Sequence, residues 1–434
     1  MTIAIVGAGF TGLSAAYDLA KAGRKVIVFD SDGEPGGLAG GFPIGSSTLL
    51  EKFYHHWFVS DRHIMDLIAD LGLQNNILHR QSQTGLYYNN RLFRLSSPVD
   101  VLKFTALPFL DRLRLGFLVL QVRMIKDWRS IEHLSVEEWL VGLCGRRVYD
   151  LVWAPLLDAK FSTYKDEISA TWFLLKLQLR GGSRGKNGSE ILAYYKGGFA
   201  ALAQQLRNAI VAAGGEVRLG QTVSQIDVHE GQATGVRLAS GEQVPADQIL
   251  LTTALPIAAD LLAQSAPSDW LQALRKVQYL ANRCIVLELD RSLSTTYWIN
   301  VNEPGFPFVG VIEHTNFEPP ETYGGKHIVY LSRYMPDSDP LYTISDDLYV
   351  AYALPYIKRM FPDFDESWIH AAHVWKADHA QPVTTRNYSK MIPSHVTPIK
   401  GVTLFSMAQI YPEDRGTNYA VREGRKAAAL LTPP

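Results

Sequence analysis

A glycine-rich turn between a predicted strand and a predicted helix opens the chain. Gly7, Gly9 and Gly12 lie in the segment GAGFTG, directly after the apolar run IAIV. In such a turn the first glycine permits the sharp bend, the second lets the backbone approach a pyrophosphate, and the third lets helix and strand pack closely. Free N–H groups at the start of the helix favour an anion there. The segment therefore predicts a Rossmann-type, dinucleotide-binding α/β unit.

A second predicted strand, KVIVFD, ends at Asp30. This is about 20 residues after the turn, where an acid commonly binds the adenosine ribose hydroxyls. A glycine fingerprint alone is a weak signal, but here strand, turn, helix, second strand and acid follow in register. The combination favours a nucleotide site over a plain turn, although it does not say which dinucleotide is bound.

Composition limits the classes of function. A length of 434 residues suggests roughly two to three domains, and a formal net charge of -1 gives no reason to expect nucleic acid as a partner. Cys144 and Cys284 are too few for a disulfide framework or a four-cysteine metal site, and they favour a reducing compartment. No basic segment precedes the first strand, and no run reaches the roughly 20 apolar residues of a membrane span. We therefore expect a cytoplasmic protein.

The segment after Asp30, SDGEPGGLAGGF, contains the pairs Gly36-Gly37 and Gly40-Gly41. A loop of bare backbone can lie against a second phosphate or a sugar. With this loop the sequence resembles the flavin-dependent amine oxidase superfamily, which includes protoporphyrinogen oxidase and phytoene desaturase. The resemblance implies that the cofactor is FAD rather than NAD.

Two further blocks fit the same superfamily. YYKGGFAALAQQLRNAIVAAGGEVRLGQTVSQIDV joins a glycine pair to an amphipathic helix and a strand containing Val223, which the resemblance gives the role of offering its backbone to the adenine. GVTLFSMAQIYPEDRGTNYAVREGRKAAALL predicts a strand to Met407 and a helix from about Asn418. The plain alternative for this last helix is a core helix with ordinary capping.

The resemblance also points the N-terminus of that last helix at the pyrimidine carbonyl of the flavin, whose negative charge grows on reduction. Thr417, Asn418 and Tyr419 would supply the contact, with Arg415 or Asp414 beside the ring. The residues predicted to bind FAD are Gly7, Gly9, Phe10, Thr11, Gly12, Asp30, Ser31, Gly36, Gly37, Leu38, Val223, Asn418 and Tyr419.

The resemblance implies two interleaved domains. The FAD-binding domain would combine residues 1–58, 192–262 and 393–434. The substrate-binding domain would combine residues 59–191 and 263–392, with a mixed antiparallel sheet and helices. The expected fold class is α/β with an α+β substrate domain.

The octapeptide EKFYHHWF, residues 51–58, packs a carboxylate, two histidines and four aromatic rings together. A metal site would need further ligands at workable spacing, so none is predicted. In an extended segment His55 and His56 point to opposite faces, so one would face the flavin. We expect a flavin-side pocket wall, with Glu51, His55 and His56, together with Arg415, as catalytic candidates. The alternative for the histidines is hydrogen-bonded core.

Three polar residues among apolar neighbours are predicted for the substrate pocket: Lys160, Tyr297 and His314. Many amine oxidases of the superfamily carry a lysine near the flavin at the start of a strand, and the counterpart NRCIVLELD carries Arg283 and Cys284 instead. This departure puts amine oxidation in doubt.

The region 97–128 is apolar on nearly all sides of its predicted helix, which indicates a buried helix or one pressed on lipid. The buried alternative is favoured. Its basic residues nevertheless suit an anionic surface, so a peripheral membrane contact is the second alternative. They are Lys103, Arg112, Arg114, Arg123 and Lys126.

The leading functional hypothesis is an FAD-dependent oxidoreductase, whether oxidase, dehydrogenase or desaturase. It would transfer hydride from a small hydrophobic substrate to flavin N5, and the electron acceptor is left open. One alternative is a non-redox flavin mutase resembling UDP-galactopyranose mutase, for which Arg91, Arg94, Arg180 and Arg184 could hold a diphosphate. Another is a non-enzymatic binding protein resembling the GDP-dissociation inhibitors.

Overall fold

The computed structural model describes residues 1–45, 48–94, 98–182 and 190–432. The strands are β1 (Thr2–Val6), β2 (Lys25–Phe29), β3 (Gly41–Ile44), β4 (Thr48–Glu51), β5 (Trp57–Phe58), β6 (Ile77–Ser82), β7 (Thr84–Tyr88), β8 (Arg91–Arg94), β9 (Glu190–Tyr195), β10 (Glu216–Arg218), β11 (Val223–His229), β12 (Gln232–Leu238), β13 (Gln243–Pro245), β14 (Gln248–Leu251), β15 (Tyr279–Leu289), β16 (Trp298–Val301), β17 (Gly310–Glu313), β18 (His327–Met335), β19 (Ile369–Pro382) and β20 (Val402–Leu404).

The helices are α1 (Phe10–Lys21), α2 (Arg62–Asp70), α3 (Pro98–Leu102), α4 (Phe109–Met124), α5 (Val136–Cys144), α6 (Arg146–Val148), α7 (Ala154–Phe161), α8 (Ala170–Gly182), α9 (Gly198–Ala212), α10 (Leu255–Leu261), α11 (Ser268–Lys276), α12 (Pro340–Thr343), α13 (Asp346–Met360) and α14 (Thr417–Leu431). A π-helical turn, Tyr149–Trp153, joins α6 to α7.

A five-stranded sheet in the order β10-β2-β1-β14-β20 holds the first glycine turn. All of its strand pairs are parallel. Strand β1 is buried on both faces: Ile3 and Ile5 pack with helices α1, α9 and α14, whereas Ala4 and Val6 pack with β11, β12 and α10. All three segments predicted for the FAD-binding domain contribute strands to this sheet. The division into two domains remains a prediction.

Glycines allow unusually close approach around α1. A Cβ on Gly12 would lie 1.9 Å from the carbonyl oxygen of Gly7, so no larger residue fits between helix and turn. A Cβ on Gly424, in α14, would lie 2.1 Å from Ser14 Oγ and 2.3 Å from the carbonyl oxygen of Thr11. The last helix of the chain therefore packs backbone to backbone on the first.

A seven-stranded mixed sheet in the order β19-β15-β18-β17-β16-β7-β8 forms the second large layer. Its strand pairs are antiparallel except β16 with β7. The β7–β8 hairpin turns at Asn89 and Asn90, with φ of 52° and 55°. Asparagine tolerates this left-handed conformation, which the tight two-residue turn requires.

Helix α4 departs from the favoured prediction of a buried helix. Leu115, Leu118 and Val122 are buried, but the opposite face is open to solvent. Its exposed side chains are Phe109 (60%), Leu110 (68%), Leu113 (45%), Phe117 (59%), Leu120 (53%) and Met124 (77%). The helix packs through one side only, which the two-sided apolar pattern did not show. Among the described residues, no helix is both long enough and apolar enough to cross a bilayer.

Candidate active site

The first glycine turn and the second glycine loop touch each other. Gly9 and Gly36 form a parallel bridge, and the N–H of Gly36 donates to the carbonyl of Ala8 at 2.8 Å. A Cβ on Gly37 would lie 3.2 Å from Gly9 Cα, whereas space is open beside Gly9 itself. The two loops thus make one backbone cradle of the kind that a pyrophosphate fits.

Asp30 lies at the rim of this cradle. Its carboxylate accepts from the N–H of Ala8 at 2.6 Å, and its carbonyl accepts from the N–H of Gln221 at 2.8 Å. The second bond brings the start of β11, with Val223, beside Asp30. The two residues predicted for the ribose and the adenine are therefore neighbours, although they are almost 200 positions apart in the sequence.

The other residues predicted for FAD lie around the same cradle or beyond it. Phe10 is buried against Phe199, and Ser31 is exposed. Thr11 lies in the first turn of α1, whose N-terminus is not capped by a side chain. Leu38 lines the large cavity that starts where the cradle ends.

This cavity, of about 450 Å³, lies between Leu38 of the second glycine loop, the start of α14, and helices α7 and α8. Most of its wall is apolar or aromatic. Its apolar lining includes Val152, Leu156, Leu157, Phe161, Trp172, Phe173, Leu175, Leu177, Leu179 and Trp298. Such a cavity suits a largely apolar ligand with a few fixed polar contacts.

The N-terminus of α14 faces the cavity, with Arg415, Gly416, Thr417, Asn418 and Tyr419 in its wall. No side chain caps this helix, so its first N–H groups remain available to an anionic or carbonyl oxygen. Trp57 Nε1 donates to Thr417 Oγ1 at 2.7 Å, and the N–H of Ile64 donates to Asn418 Oδ1 at 3.2 Å. The side-chain oxygen of Asn418 thus holds α2, which leaves the backbone N–H groups as the donors that this helix start offers to the cavity.

His55 and His56 both line the cavity, so the expected alternation of the two side chains between opposite faces is wrong, and the contact of one of them with a flavin stays a prediction. The physical reason is that residues 52–56 form an irregular loop between β4 and β5, in which strand alternation does not apply. His55 Nδ1 donates to the carbonyl of Phe53 at 2.6 Å, and burial lowers the pKa of His55 to about 4. His56 Nδ1 lies 3.0 Å from Tyr297 Oη.

Glu51 is buried behind this wall, 1% exposed, and it is not among the described residues that line the cavity. Its carboxyl group accepts from Tyr194 Oη at 2.8 Å and from the N–H of Phe199, near the start of α9. A Cβ on Gly198 would lie 2.5 Å from Glu51 Oε1, so the helix start can approach only as glycine. Burial raises the pKa of Glu51 to about 7 despite these hydrogen bonds.

Tyr297 and His314 were predicted for the substrate pocket, but the structure places them behind it. Each is 1% exposed. Tyr297 stacks on Phe317 with ring centroids 4.6 Å apart, and His314 Nε2 lies 2.7 Å from Tyr323 Oη. Together with Glu51 they belong to a buried polar layer. An aromatic hairpin pattern does not reveal which side of a sheet faces the ligand.

Lys160 does line the cavity, within a cluster of charges. Asp414 accepts from Lys176 Nζ at 2.8 Å and from Trp172 Nε1 at 2.9 Å, and Lys160 Nζ lies 3.8 Å from it. Burial opposes ionisation of Asp414, but Lys176 and then Lys160 outweigh it and hold the pKa of Asp414 well below its usual range. Arg415 donates to Tyr334 Oη at 3.0 Å.

Sequence analysis missed Lys176, Trp172 and Tyr194. Lys176 had a visible signal, because it stands in the otherwise apolar run TWFLLKLQL. A lysine in such a run is often a functional or paired group. Tyr194 had no comparable signal, because it lies in a strand with other aromatic residues. Within the described ranges, no three histidine, cysteine or acidic side chains gather as a metal site.

A model of the flavin-containing amine oxidoreductase family matches residues 10–432. The chain belongs to this family. The match confirms the resemblance inferred from the glycine loops and the last helix, and with it the prediction of a flavin-dependent oxidoreductase.

Two curated proteins that this chain resembles are carotenoid enzymes by name. A Synechococcus elongatus protein provisionally named zeta-carotene desaturase is 28% identical over 59% of this chain and 59% of its own length. The 15-cis-phytoene desaturase of Glycine max is 23% identical over 93% of this chain and 74% of its own length. The chain thus spans less than two thirds of the first of these relatives.

Solved structures show the same fold. A protein from Exiguobacterium provisionally named protoporphyrinogen oxidase has a TM-score of 0.78 at 17% identity, over 99% of this chain and 98% of its own. Reduced UDP-galactopyranose mutase has a TM-score of 0.76 at 16% identity, over 100% of this chain and 96% of its own. These likenesses confirm the α/β fold class and carry no information about the substrate.

The raised pKa of Glu51 predicts a pH-dependent stability. Between its ordinary 4.5 and about 7, the folded protein holds a proton on Glu51 that the unfolded chain has released. The free energy of unfolding, relative to Glu51→Gln, should therefore fall by about 3 kcal/mol as the pH rises through this window and then level off. Urea unfolding at a series of pH values measures it.

The exposed Glu366→Gln is the control, and it should follow the wild type at every pH. A difference between wild type and Glu51→Gln that stays constant from pH 4 to about 8 would contradict the account.

Proposed function

We propose that the protein is an FAD-dependent oxidoreductase that removes hydride from a hydrophobic organic substrate. The observation that carries the proposal is the apolar cavity of about 450 Å³ that runs from Leu38, at the end of the glycine cradle, and the start of α14 to helices α7 and α8. The family match supports a flavin in the first part of this space, and the apolar wall supports an oily substrate in the second.

FAD would be held by residues of the three segments 1–58, 192–262 and 393–434, which we propose as one domain. The glycine cradle would hold the pyrophosphate, and Asp30 would bind the ribose. The start of β11 would contact the adenine, and the first turn of α14 would contact the flavin ring. When bound, FAD supplies the hydride acceptor. The electron acceptor that reoxidises it is not specified by any residue described above.

The chain's own residues orient the substrate and exclude water. The segment of residues 53–58, which comprises most of the loop and strand β5, closes one side of the cavity with aromatic rings. Trp57 fixes this segment to α14 through Thr417. His55 carries its proton on Nδ1 and is neutral at pH 7, because burial lowers its pKa to about 4. It therefore presents an acceptor nitrogen, Nε2, rather than an acid. Arg415 places a fixed positive charge beside the cavity.

The arginines that the sequence suggested for a diphosphate give the non-redox mutase less support than the apolar cavity gives the oxidoreductase. Arg91 and Arg94 lie exposed on β8, and Arg94 is 3.7 Å from Asp100. Neither is among the described residues that line the cavity. Arg184 and the side chain of Arg180 lie outside the described residues.

The exposed face of α4 supports a contact with a membrane surface. Six large apolar side chains, from Phe109 to Met124, share this face. Exposed Lys103, Arg123, Lys126 and Arg129 flank it in the sequence. Of the nearby acids, Asp111 is buried and paired with Arg114, and Asp127 is exposed, so the cations are in excess. Apolar side chains flanked by cations fit a bilayer that contains anionic lipids.

The same helix is tied to the cavity wall. Gln178 Nε2, on α8, donates to the carbonyls of Val122 at 3.0 Å and Ile125 at 2.9 Å, at the end of α4. Leu175, Leu177 and Leu179 of α8 line the cavity. We therefore propose that a hydrophobic substrate passes between the bilayer and the cavity beside α8.

Anaerobic mixing of the flavin-loaded protein with polyene, porphyrinogen and amine substrates tests the redox function. A hydrophobic substrate should bleach the visible flavin absorbance, and Leu156→Trp, which fills the cavity, should slow bleaching about tenfold or more while leaving the oxidised flavin spectrum unchanged. Isomerisation of a nucleotide sugar by the pre-reduced protein, without any bleaching by the panel, would favour the mutase instead.

Vesicle flotation tests the membrane contact. The wild type should float with phosphatidylcholine vesicles that contain phosphatidylglycerol, and Leu113→Ser with Phe117→Ser should weaken this partition about tenfold or more, because two apolar side chains no longer leave water. The control is Leu348→Ser with Tyr352→Ser, the same spacing on exposed positions of α13. Equal flotation of both double variants would contradict the assignment.

A further inference from the structure

The charge cluster in the cavity is unbalanced. Lys160, Lys176 and Arg415 surround one carboxylate, Asp414. The other acids in the cavity wall are engaged elsewhere: Glu413 accepts from Arg422 Nη1 at 2.8 Å, and Asp61 accepts from the N–H of Phe58 at 2.9 Å. Among the described residues, the cluster therefore has an excess of positive charge.

The two lysines are not equally well paired: Lys176 Nζ lies 2.8 Å from Asp414 and its side chain is 40% exposed, whereas Lys160 Nζ lies 3.8 Å from Asp414 and its side chain is 19% exposed. Burial, and next the neighbouring Lys176, lower the pKa of Lys160 well below its ordinary value, even though Asp414 opposes the shift. Lys160 Nζ lies 4.7 Å from the centre of the Trp172 ring, among aromatic neighbours. Arg415 Nε is buried and has no hydrogen-bond partner. A cation that is enclosed by an apolar wall and only loosely paired is costly, so the side of the cluster that holds Lys160 favours an incoming anion.

The two lysines come from different elements of the fold than the proposed flavin contacts. Lys160 comes from α7 and Lys176 from α8, the helices whose leucines form the apolar wall. The proposed flavin contacts come instead from the glycine loops and the backbone of α14. Asp414 contacts both lysines and lies just before the start of α14, so the charge cluster sits where the wall of α7 and α8 meets α14.

We propose that the substrate is an amphiphile with one anionic oxygen group, a carboxylate or a phosphate, seated between Lys160 and Lys176. Its apolar chain would lie along α7 and α8. The inference rests on the proposed function, since it concerns the same cavity, and it narrows the substrate class: a pure hydrocarbon would leave the positive charge in excess of Asp414 without a counter-ion.

Paired ligands test this inference on the flavin-loaded protein. Oleate is compared with oleyl alcohol, and farnesyl phosphate with farnesol, by isothermal titration calorimetry. At least one anion should bind the wild type about tenfold or more tightly than its alcohol, as expected for a charge-assisted hydrogen bond. The pair that shows the preference tells a carboxylate from a phosphate substrate.

Two variants locate the effect. Lys160→Gln and Lys176→Gln should each reduce the preference for the anion about tenfold, with little change in the affinity for the alcohol. Lys165→Gln is the control, because Lys165 is a nearby lysine paired with Asp158 at 3.0 Å, and it should keep the full preference. Thermal melting of each variant shows whether it is folded.

Equal binding of anion and alcohol by the wild type, or an undiminished preference in both lysine variants, would overturn the inference. Flavin bleaching is measured separately on the same samples. Bleaching by a neutral hydrophobic substrate without any preference for anions would leave the proposed function standing and refute only the anionic site. A preference for anions that depends on the lysines, in a protein whose flavin no substrate bleaches, would support the anionic site and refute the proposed function.

Discussion

The close packing of α14 on α1 is the constraint on which the rest of the site depends. Gly424 lets the two helices approach until a Cβ would overlap Ser14 Oγ at 2.1 Å. Because α1 starts at the glycine turn, this contact fixes the start of α14 relative to the cradle. The backbone N–H groups of residues 417–419 thereby lie in the wall of the same cavity. One end of the chain thus completes a site that the other end begins.

The site and its surroundings combine three electrostatic environments. Close to the cradle and α14, backbone N–H groups face the space proposed for the cofactor. Their dipoles can stabilise negative charge there without a charged side chain. Around Asp414, two lysines stand in an otherwise apolar wall, where charge is costly unless it is paired. Glu51 and His314 show the third arrangement, in which burial shifts each pKa toward the neutral form: to about 7 for Glu51 and to about 3 for His314. That polar layer is a support behind the wall.

Much of the nucleotide-binding part could be predicted from the sequence, because its signals are local. The glycine turn, Asp30 and the second glycine loop all lie within the first 41 residues. The charge cluster could not be predicted in this way, since Lys176 and Asp414 meet across more than 200 positions. The failure at His55 and His56 came from assuming an extended strand where the chain forms a loop. The failure at α4 came from a pattern that is apolar on both faces, which does not say which face packs.

The central claim is that this cavity holds FAD, and the most direct test is the visible spectrum of the purified protein, with the released cofactor identified by mass spectrometry. The account predicts an oxidised flavin spectrum that dithionite bleaches and air restores, and a released mass equal to that of FAD. A colourless protein that also fails to bind added FAD would contradict it.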